Sequence, residues 1–282
     1  MEEKNVLKTI GNTPLIRVGR IYAKLETTNP SGSIKDRMAK YMTERAEERG
    51  ELKPNFHIIE ATSGNTGISF AMISAIKKYK FIAVMPGNIS KEKRELMKFF
   101  GAKIVLIPEK KGLEGAIRKT EELARKYKKV WLPKQFENPD NVEAHRKGLG
   151  QEILKEIPKI DAFVAGFGTG GTLMGVAKAL KPKFSKVKII GVEAAESPHQ
   201  HKIEGISDGI MPKNLDLNLI DGIIKIKSKD AILMAKQLTK KHSLLVGISS
   251  GANILAALKL TKKYRNVVTV LPDRAERYLD LW

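Results

Sequence analysis

The sequence predicts an α/β fold of two lobes, each a mainly parallel sheet flanked by helices, with a cleft between them. Two patterns and the chain length carry that prediction. Short apolar runs alternate almost throughout with helix-like runs of about ten residues or more, the pattern of parallel strands covered on both faces. Turns rich in glycine and hydroxyl side chains join strands to helices at several points. At 282 residues, two such lobes are favoured over one large sheet.

In chain order, residues 9–18 and 20–26 read as extended, around the turn Gly11-Asn12-Thr13-Pro14. A helix is expected from 34 to 49, stopped by Gly50. The apolar strand 57–61 leads through a polar turn into a helix at 66–79, and strand 81–85 ends at Pro86. Ser90 can N-cap a helix at 91–100, with Glu92 and Lys93 in its first turn and Gly101 just past its end. Strand 103–107 ends at Pro108. Further helices are expected at 113–127, 142–156, 173–180, 230–242 and 252–264, and strands at 162–166, 187–192, 223–226 and 267–271. No internal repeat or low-complexity tract interrupts them.

Composition narrows the chemistry. Hydrophobic residues make up 42% and charged residues 29%, as in a globular, ordered chain. No apolar run approaches the ~20 residues of a membrane span, and the start Met1-Glu2-Glu3-Lys4 has no signal-peptide pattern. A cytoplasmic location is expected. With no cysteine, disulfides, cysteine nucleophiles and thiolate metal sites are excluded, and no metal site is assigned. The lack of cysteine and the many Lys, Glu and Ile residues fit a thermophile. The net charge of +20 is spread along the chain without a long basic block interleaved with aromatics, so it reads as a solvated surface and not as a specific nucleic-acid site.

Five segments carry chemistry. In Asn29-Pro30-Ser31-Gly32-Ser33-Ile34-Lys35-Asp36-Arg37, Ser33 can cap the helix that follows, which puts Lys35 in its first turn. The positive end of the helix dipole disfavours an ammonium there and favours the neutral amine that condenses with carbonyls. Thr62-Ser63-Gly64-Asn65-Thr66-Gly67 joins a strand to a helix and suits a carboxylate or phosphate. Gly166-Phe167-Gly168-Thr169-Gly170-Gly171-Thr172 does the same, with four glycines that let the backbone close on an anion. Gly247-Ile248-Ser249-Ser250-Gly251-Ala252-Asn253 opens a helix, and Gln135-Phe136-Glu137-Asn138-Pro139 is a turn carrying an amide. The third segment also satisfies G-x-G-x-x-G through Gly166, Gly168 and Gly171, with Glu193 at a strand end 22 residues on. A nicotinamide oxidoreductase is therefore a rival reading, and a catalytically silent binding protein a third.

Taken together and in this order, the segments resemble the cysteine synthase family, the fold type II pyridoxal-phosphate enzymes that also include cystathionine β-synthase and share the tryptophan synthase β-like fold. The resemblance runs from Ile10-Gly11-Asn12-Thr13-Pro14-Leu15 through Ile21-Tyr22-Ala23-Lys24-Leu25-Glu26 to Glu276-Arg277-Tyr278-Leu279. It implies pyridoxal 5′-phosphate as cofactor, with Lys35 as the Schiff-base lysine and acid/base. Asn65 would bond the cofactor's 3′-oxygen, Gly168, Thr169, Gly170, Gly171 and Thr172 its phosphate, and Ser249 its pyridine nitrogen. Thr62, Ser63, Gly64, Thr66 and Gln135 would take the amino-acid carboxylate.

The implied reaction is β-replacement on an activated serine, O-acetylserine, with sulfide to give L-cysteine; O-phosphoserine sulfhydrylase and cystathionine β-synthase chemistry are the alternatives. The resemblance also implies a larger, phosphate-binding domain from 1–35 plus 139–282, a smaller mobile domain at 36–138, and a homodimer, the family's usual state. Two segments depart from the family pattern. Pro272-Asp273-Arg274-Ala275-Glu276-Arg277-Tyr278 has Arg274 and Ala275 where Ser and Gly are usual, and Gly205-Ile206-Ser207-Asp208-Gly209-Ile210 replaces Gly-Ile-Gly-Ala-Gly-Phe. Arg274 is a candidate for attracting a phosphate leaving group.

Overall fold

The computed structural model describes residues 6–197, 200–206 and 209–281. Ser207 and Asp208, two of the departures above, lie outside the described residues. The chain opens with β1 (Leu15–Val18) and β2 (Ile21–Leu25), then α1 (Lys35–Glu48), β3 (His57–Ala61), α2 (Asn65–Lys77), β4 (Lys80–Pro86), α3 (Lys91–Phe99), β5 (Lys103–Ile107), α4 (Gly112–Ala124) and β6 (Val130–Trp131). It continues through α5 (Pro139–Lys147), α6 (Leu149–Glu156), β7 (Ala162–Gly166), α7 (Gly171–Leu180), β8 (Lys188–Ala194), β9 (Gly222–Ile226), α8 (Ser228–His242), α9 (Ile248–Leu260) and β10 (Val267–Leu271).

The strands form two sheets. The larger has the order β1-β2-β10-β7-β8-β9 and the smaller β5-β4-β3-β6. Every pairing is parallel except β1 with β2. Both faces of each sheet are apolar, because consecutive strand residues point to opposite sides. In β10, Val267 and Leu271 enter one core while Val268 and Val270 enter another. In β3, Ile58 packs on one side of the smaller sheet and Ile59 and Ala61 on the other. Helix α1 packs against both α2 and α5, so it sits where the two layers meet.

Three details depart from the periodicity reading. The expected helix 142–156 is two helices, broken at Gly148, whose φ −99° and ψ −95° are non-helical. A Cβ at Gly148 would come 2.8 Å from the Ala144 carbonyl oxygen. Helix α9 begins at Ile248, earlier than expected, which puts Ser249 inside its first turn. Strand β6 has only two residues, too few to show an alternation.

Candidate active site

The segments singled out for chemistry converge between the two sheets. One cavity is lined by Lys35, Asn65, Gly168, Thr169, Gly170, Gly171, Thr172 and Ser249. An adjoining one is lined by Ser63, Thr66 and Gln135 and shares Lys35, Asn65, Thr169, Glu204 and Gly205 with the first. Thus 35, 65, 168–172 and 249 share one space, and 63, 66 and 135 the next.

Lys35 is the first residue of α1. The capping residue is Ile34, not Ser33, but the Ser33 hydroxyl still accepts from the Lys35 backbone N–H at 3.3 Å. Asp36 turns away from the cavity and braces the loop before the helix, accepting from the Ser31 N–H at 2.7 Å and the Ser69 hydroxyl at 2.6 Å. Burial holds its carboxyl above the usual range.

The glycine turn is shaped as an anion cradle. Helix α7 starts at Gly171, so the N–H groups of its first turn have no intrahelical acceptor and carry the positive end of the dipole. Gly170 adopts a left-handed φ of +79°, which a side chain would strain. At Gly171 a Cβ would fall 2.0 Å from Asn141 Oδ1. Asn141 donates to Thr169 Oγ1 at 3.0 Å and to the Gln135 carbonyl at 2.8 Å, tying the cradle to the amide turn. His145 is buried behind Thr172, with Nε2 3.3 Å from the Thr172 hydroxyl. Burial and the nearby Arg37 and Lys35 charges push its pKa well down, so it stays neutral.

The 62–67 turn divides its labour. Thr62 is fully buried, and its hydroxyl accepts from the N–H groups of Gly64 and Gly67 at 2.9 and 3.0 Å. It shapes the loop from behind and does not line either cavity. Gly64 has φ +145°, and a Cβ there would meet Lys93 Cδ at 2.5 Å. Thr66 donates to Gln135 Oε1 at 2.7 Å, and Gln135 Nε2 donates to the Ala61 carbonyl at 2.9 Å. Asn65 opens α2, and both atoms of its amide are engaged by Asp273 and Arg277.

Ser249 is almost fully buried. Its helix is locked to the sheet by Asn253, which accepts from the Gly166 N–H at 2.8 Å and donates to the Val270 carbonyl at 3.0 Å.

Arg274 is exposed, packs over Gly32 and donates to the Thr27 carbonyl at 2.8 Å. It lines neither cavity, so its position lends no support to a phosphate-recognising role. Glu193 does not line the cavity beside the glycine turn either, which removes the acidic partner a dinucleotide would require.

Sequence reasoning missed Asn141, Glu204 and Lys93. Asn141 lies two residues beyond the amide turn, and its role depends on a contact 28 positions away. Lys93 is one of 51 Lys and Arg residues, and nothing local distinguishes it.

The sequence matches the family described as "Pyridoxal-phosphate dependent enzyme" over residues 6–273. A curated relative, the cysteine synthase of Buchnera aphidicola, is 46% identical over 297 aligned positions, covering 96% of this chain and 92% of the relative. A solved structure of O-ureido-L-serine synthase superposes with a TM-score of 0.94 at 36% identity, covering 98% of this chain and 93% of the other. The O-acetylserine dependent cystathionine β-synthase of Helicobacter pylori gives 0.93 at 39% identity, covering 99% and 98%. The cavity suits such a cofactor: a dipole-backed cradle for a phosphate shares its lining with an amine, an amide and a hydroxyl.

Proposed function

Because the chain belongs to the pyridoxal-phosphate dependent enzymes, we propose that its cleft carries out β-replacement on an activated L-serine, with sulfide as the nucleophile and L-cysteine as the product. The observation that carries this reading is the single cavity lined at once by Lys35, Asn65, the turn 168–172 and Ser249. Pyridoxal phosphate, when bound, supplies an aldehyde that condenses with amines and a ring that draws electrons from the amino-acid α-carbon.

The chain's own residues do the rest. The N–H groups and hydroxyls of 168–172 would hold the phosphate, and Asn65 Nδ2 would donate to the phenolic oxygen. Lys35 Nζ would hold the aldehyde end of the cofactor, and the same amine would take up and return the substrate's α-proton. Ser63, Gly64 and Thr66, braced by Thr62 and Gln135, receive the substrate carboxylate. Ser249 would offer the ring nitrogen a hydroxyl, which, unlike a carboxylate, does not sustain a protonated ring.

Residues 36–138 form the smaller lobe in this reading and close over the larger one, built from 1–35 and 139–282. Closure shields the reacting carbon from water. The working protein is a cytoplasmic homodimer, and O-acetylserine is its donor.

Absorbance tests the reading. The purified protein supplied with pyridoxal phosphate is expected to show a violet band, and borohydride to fix the cofactor to Lys35, located by peptide mass. A band that persists in Lys35→Ala, or its absence from the wild type, overturns the assignment.

A further inference from the structure

Asn65 is held from the far side of the cavity by the C-terminal segment. Its Nδ2 donates to Asp273 Oδ2 at 2.6 Å, and its Oδ1 accepts from Arg277 Nη1. The second guanidinium nitrogen of Arg277 donates to the Ser31 carbonyl, in the loop that leads to Lys35. The chemistry of the partners fixes which way the amide faces. A guanidinium only donates and a carboxylate only accepts, so the oxygen must face Arg277 and the nitrogen Asp273. An amide nitrogen has two N–H bonds. Asp273 takes one, and the other is left for the cavity that Asn65 lines beside Lys35.

A second observation shows that this arrangement is costly and therefore unlike a generic surface pair. Asp273 is 1% exposed. Its Oδ2 also accepts from the Tyr278 hydroxyl, while its Oδ1 is buried without a hydrogen-bond partner among the described residues. Such an atom carries a desolvation cost. The fold also makes room for it: a Cβ on Gly247 would fall 2.1 Å from Asp273 Oδ1. Gly247 has an ordinary φ of −71°, so space and not backbone conformation requires glycine at the head of the 247–253 segment.

We propose that Asp273 and Arg277 are positioning residues that clamp the Asn65 amide in one orientation, so that its second N–H addresses the phenolic oxygen of the cofactor. This rests on the cofactor reading above. The clamp also links the C-terminal segment to the loop that leads to Lys35.

The test uses the cofactor-loaded protein and the variants Asp273→Leu and Arg277→Met, which keep side-chain bulk while removing the acceptor and the donors of the clamp. A hydrogen bond to the phenolic oxygen favours its anionic, violet-absorbing form. Both variants are expected to shift absorbance at fixed pH from the violet band towards the near-ultraviolet, and to weaken cofactor binding by about three- to tenfold, the scale of one hydrogen bond. Leu238→Ala, a core truncation in α8, controls for lost stability and should lower the melting temperature without changing the band ratio. If both clamp variants keep the wild-type ratio and cofactor affinity while only their melting temperatures fall, the positioning role is overturned. A wild type lacking any Lys35-dependent violet band sinks the cofactor reading itself, a result distinct from an unchanged ratio.

Discussion

At the residue scale, Ser249, which lines the cavity, would under the proposed function control the electronics of the cofactor ring. A hydroxyl has a pKa far above neutrality, so beside a ring nitrogen it cannot sustain a protonated ring. An electron sink of that kind is weak, and loss of a β-leaving group can then compete with reprotonation and transamination. Ser249 lies in the first turn of α9, buried and anchored through Asn253 to β7 and β10, so a replacement there would be held in the same place. Ser249→Asp is expected to raise the proportion of transamination relative to β-elimination, read by chromatography of the products formed from O-acetylserine without sulfide. An unchanged product ratio removes Ser249 from this role. The same scale separates Thr62 from Thr66: two threonines in one turn, one bonding the loop's own backbone and the other reaching Gln135 across the cleft wall.

At the scale of elements, the end of β3 positions the 62–67 turn, proposed to receive substrate, and a buried carboxyl lies in that strand. Glu60 is 3% exposed and accepts from the Lys134 N–H at 2.8 Å, pinning the chain just before Gln135. Burial outweighs its hydrogen bonds and pushes its pKa from the ordinary 4.5 up to about 8. The folded protein therefore keeps a proton that the unfolded chain has released, and stability falls as pH rises between those values. The slope approaches about 1.4 kcal/mol per pH unit. His145 works in the opposite direction but only below its ordinary 6.5, and burial raises Asp36 in the same direction as Glu60. The difference between wild type and a Glu60 variant over the interval from pH 6.5 to 8 therefore reports Glu60. Denaturant melts across that interval should show wild-type stability falling, and a smaller fall in Glu60→Gln; parallel curves would mean that Glu60 is already ionised.

Such elements also show what was legible in the sequence. Strands 57–61, 162–166 and 267–271 fall where the apolar runs placed them, because strands buried on both faces leave no polar alternation to misread. Strand 103–107, at a sheet edge with Leu106 exposed, is marked by its apolar run and by Pro108 after it. Ser90 caps α3 as its position suggested. The break at Gly148 was hidden because the apolar period continues through it. Arg37, quoted only as part of the lysine motif, proves to be held by Glu26 and Glu152, partners 11 and 115 positions away. Burial alone would raise Glu152, but hydrogen bonds and charge from Arg37 and Lys24 bring it down to about 2. Long-range pairing of this kind leaves no local pattern.

Over the whole molecule, the question is what holds the two layers together across the cleft. Short-range helix pairs such as Lys40–Glu44 and Lys119–Glu122 are each of small energetic weight. Lys93 is different. It belongs to α3, beside the smaller sheet, yet its side chain is 1% exposed. Its ammonium pairs with Glu204 and lies 4.4 Å from the centre of the Tyr278 ring, both on the larger side. Its stem passes directly over Gly64 of the substrate turn. If the lobes move as proposed, opening the cleft would pull a buried cation from a carboxylate and an aromatic face at once, and this contact would bias them towards closure. Lys93→Met keeps the stem and removes the charge, and Glu204, with its side chain 37% exposed, can turn to water. The open population should then rise, and the donor's apparent affinity should fall by the fraction of molecules no longer competent to bind. The expected result is a larger radius of gyration by solution scattering without substrate, and a severalfold higher KM for O-acetylserine with kcat less affected. A scattering profile and a KM indistinguishable from wild type would show that closure is set elsewhere, through the α1 seam with α2 and α5.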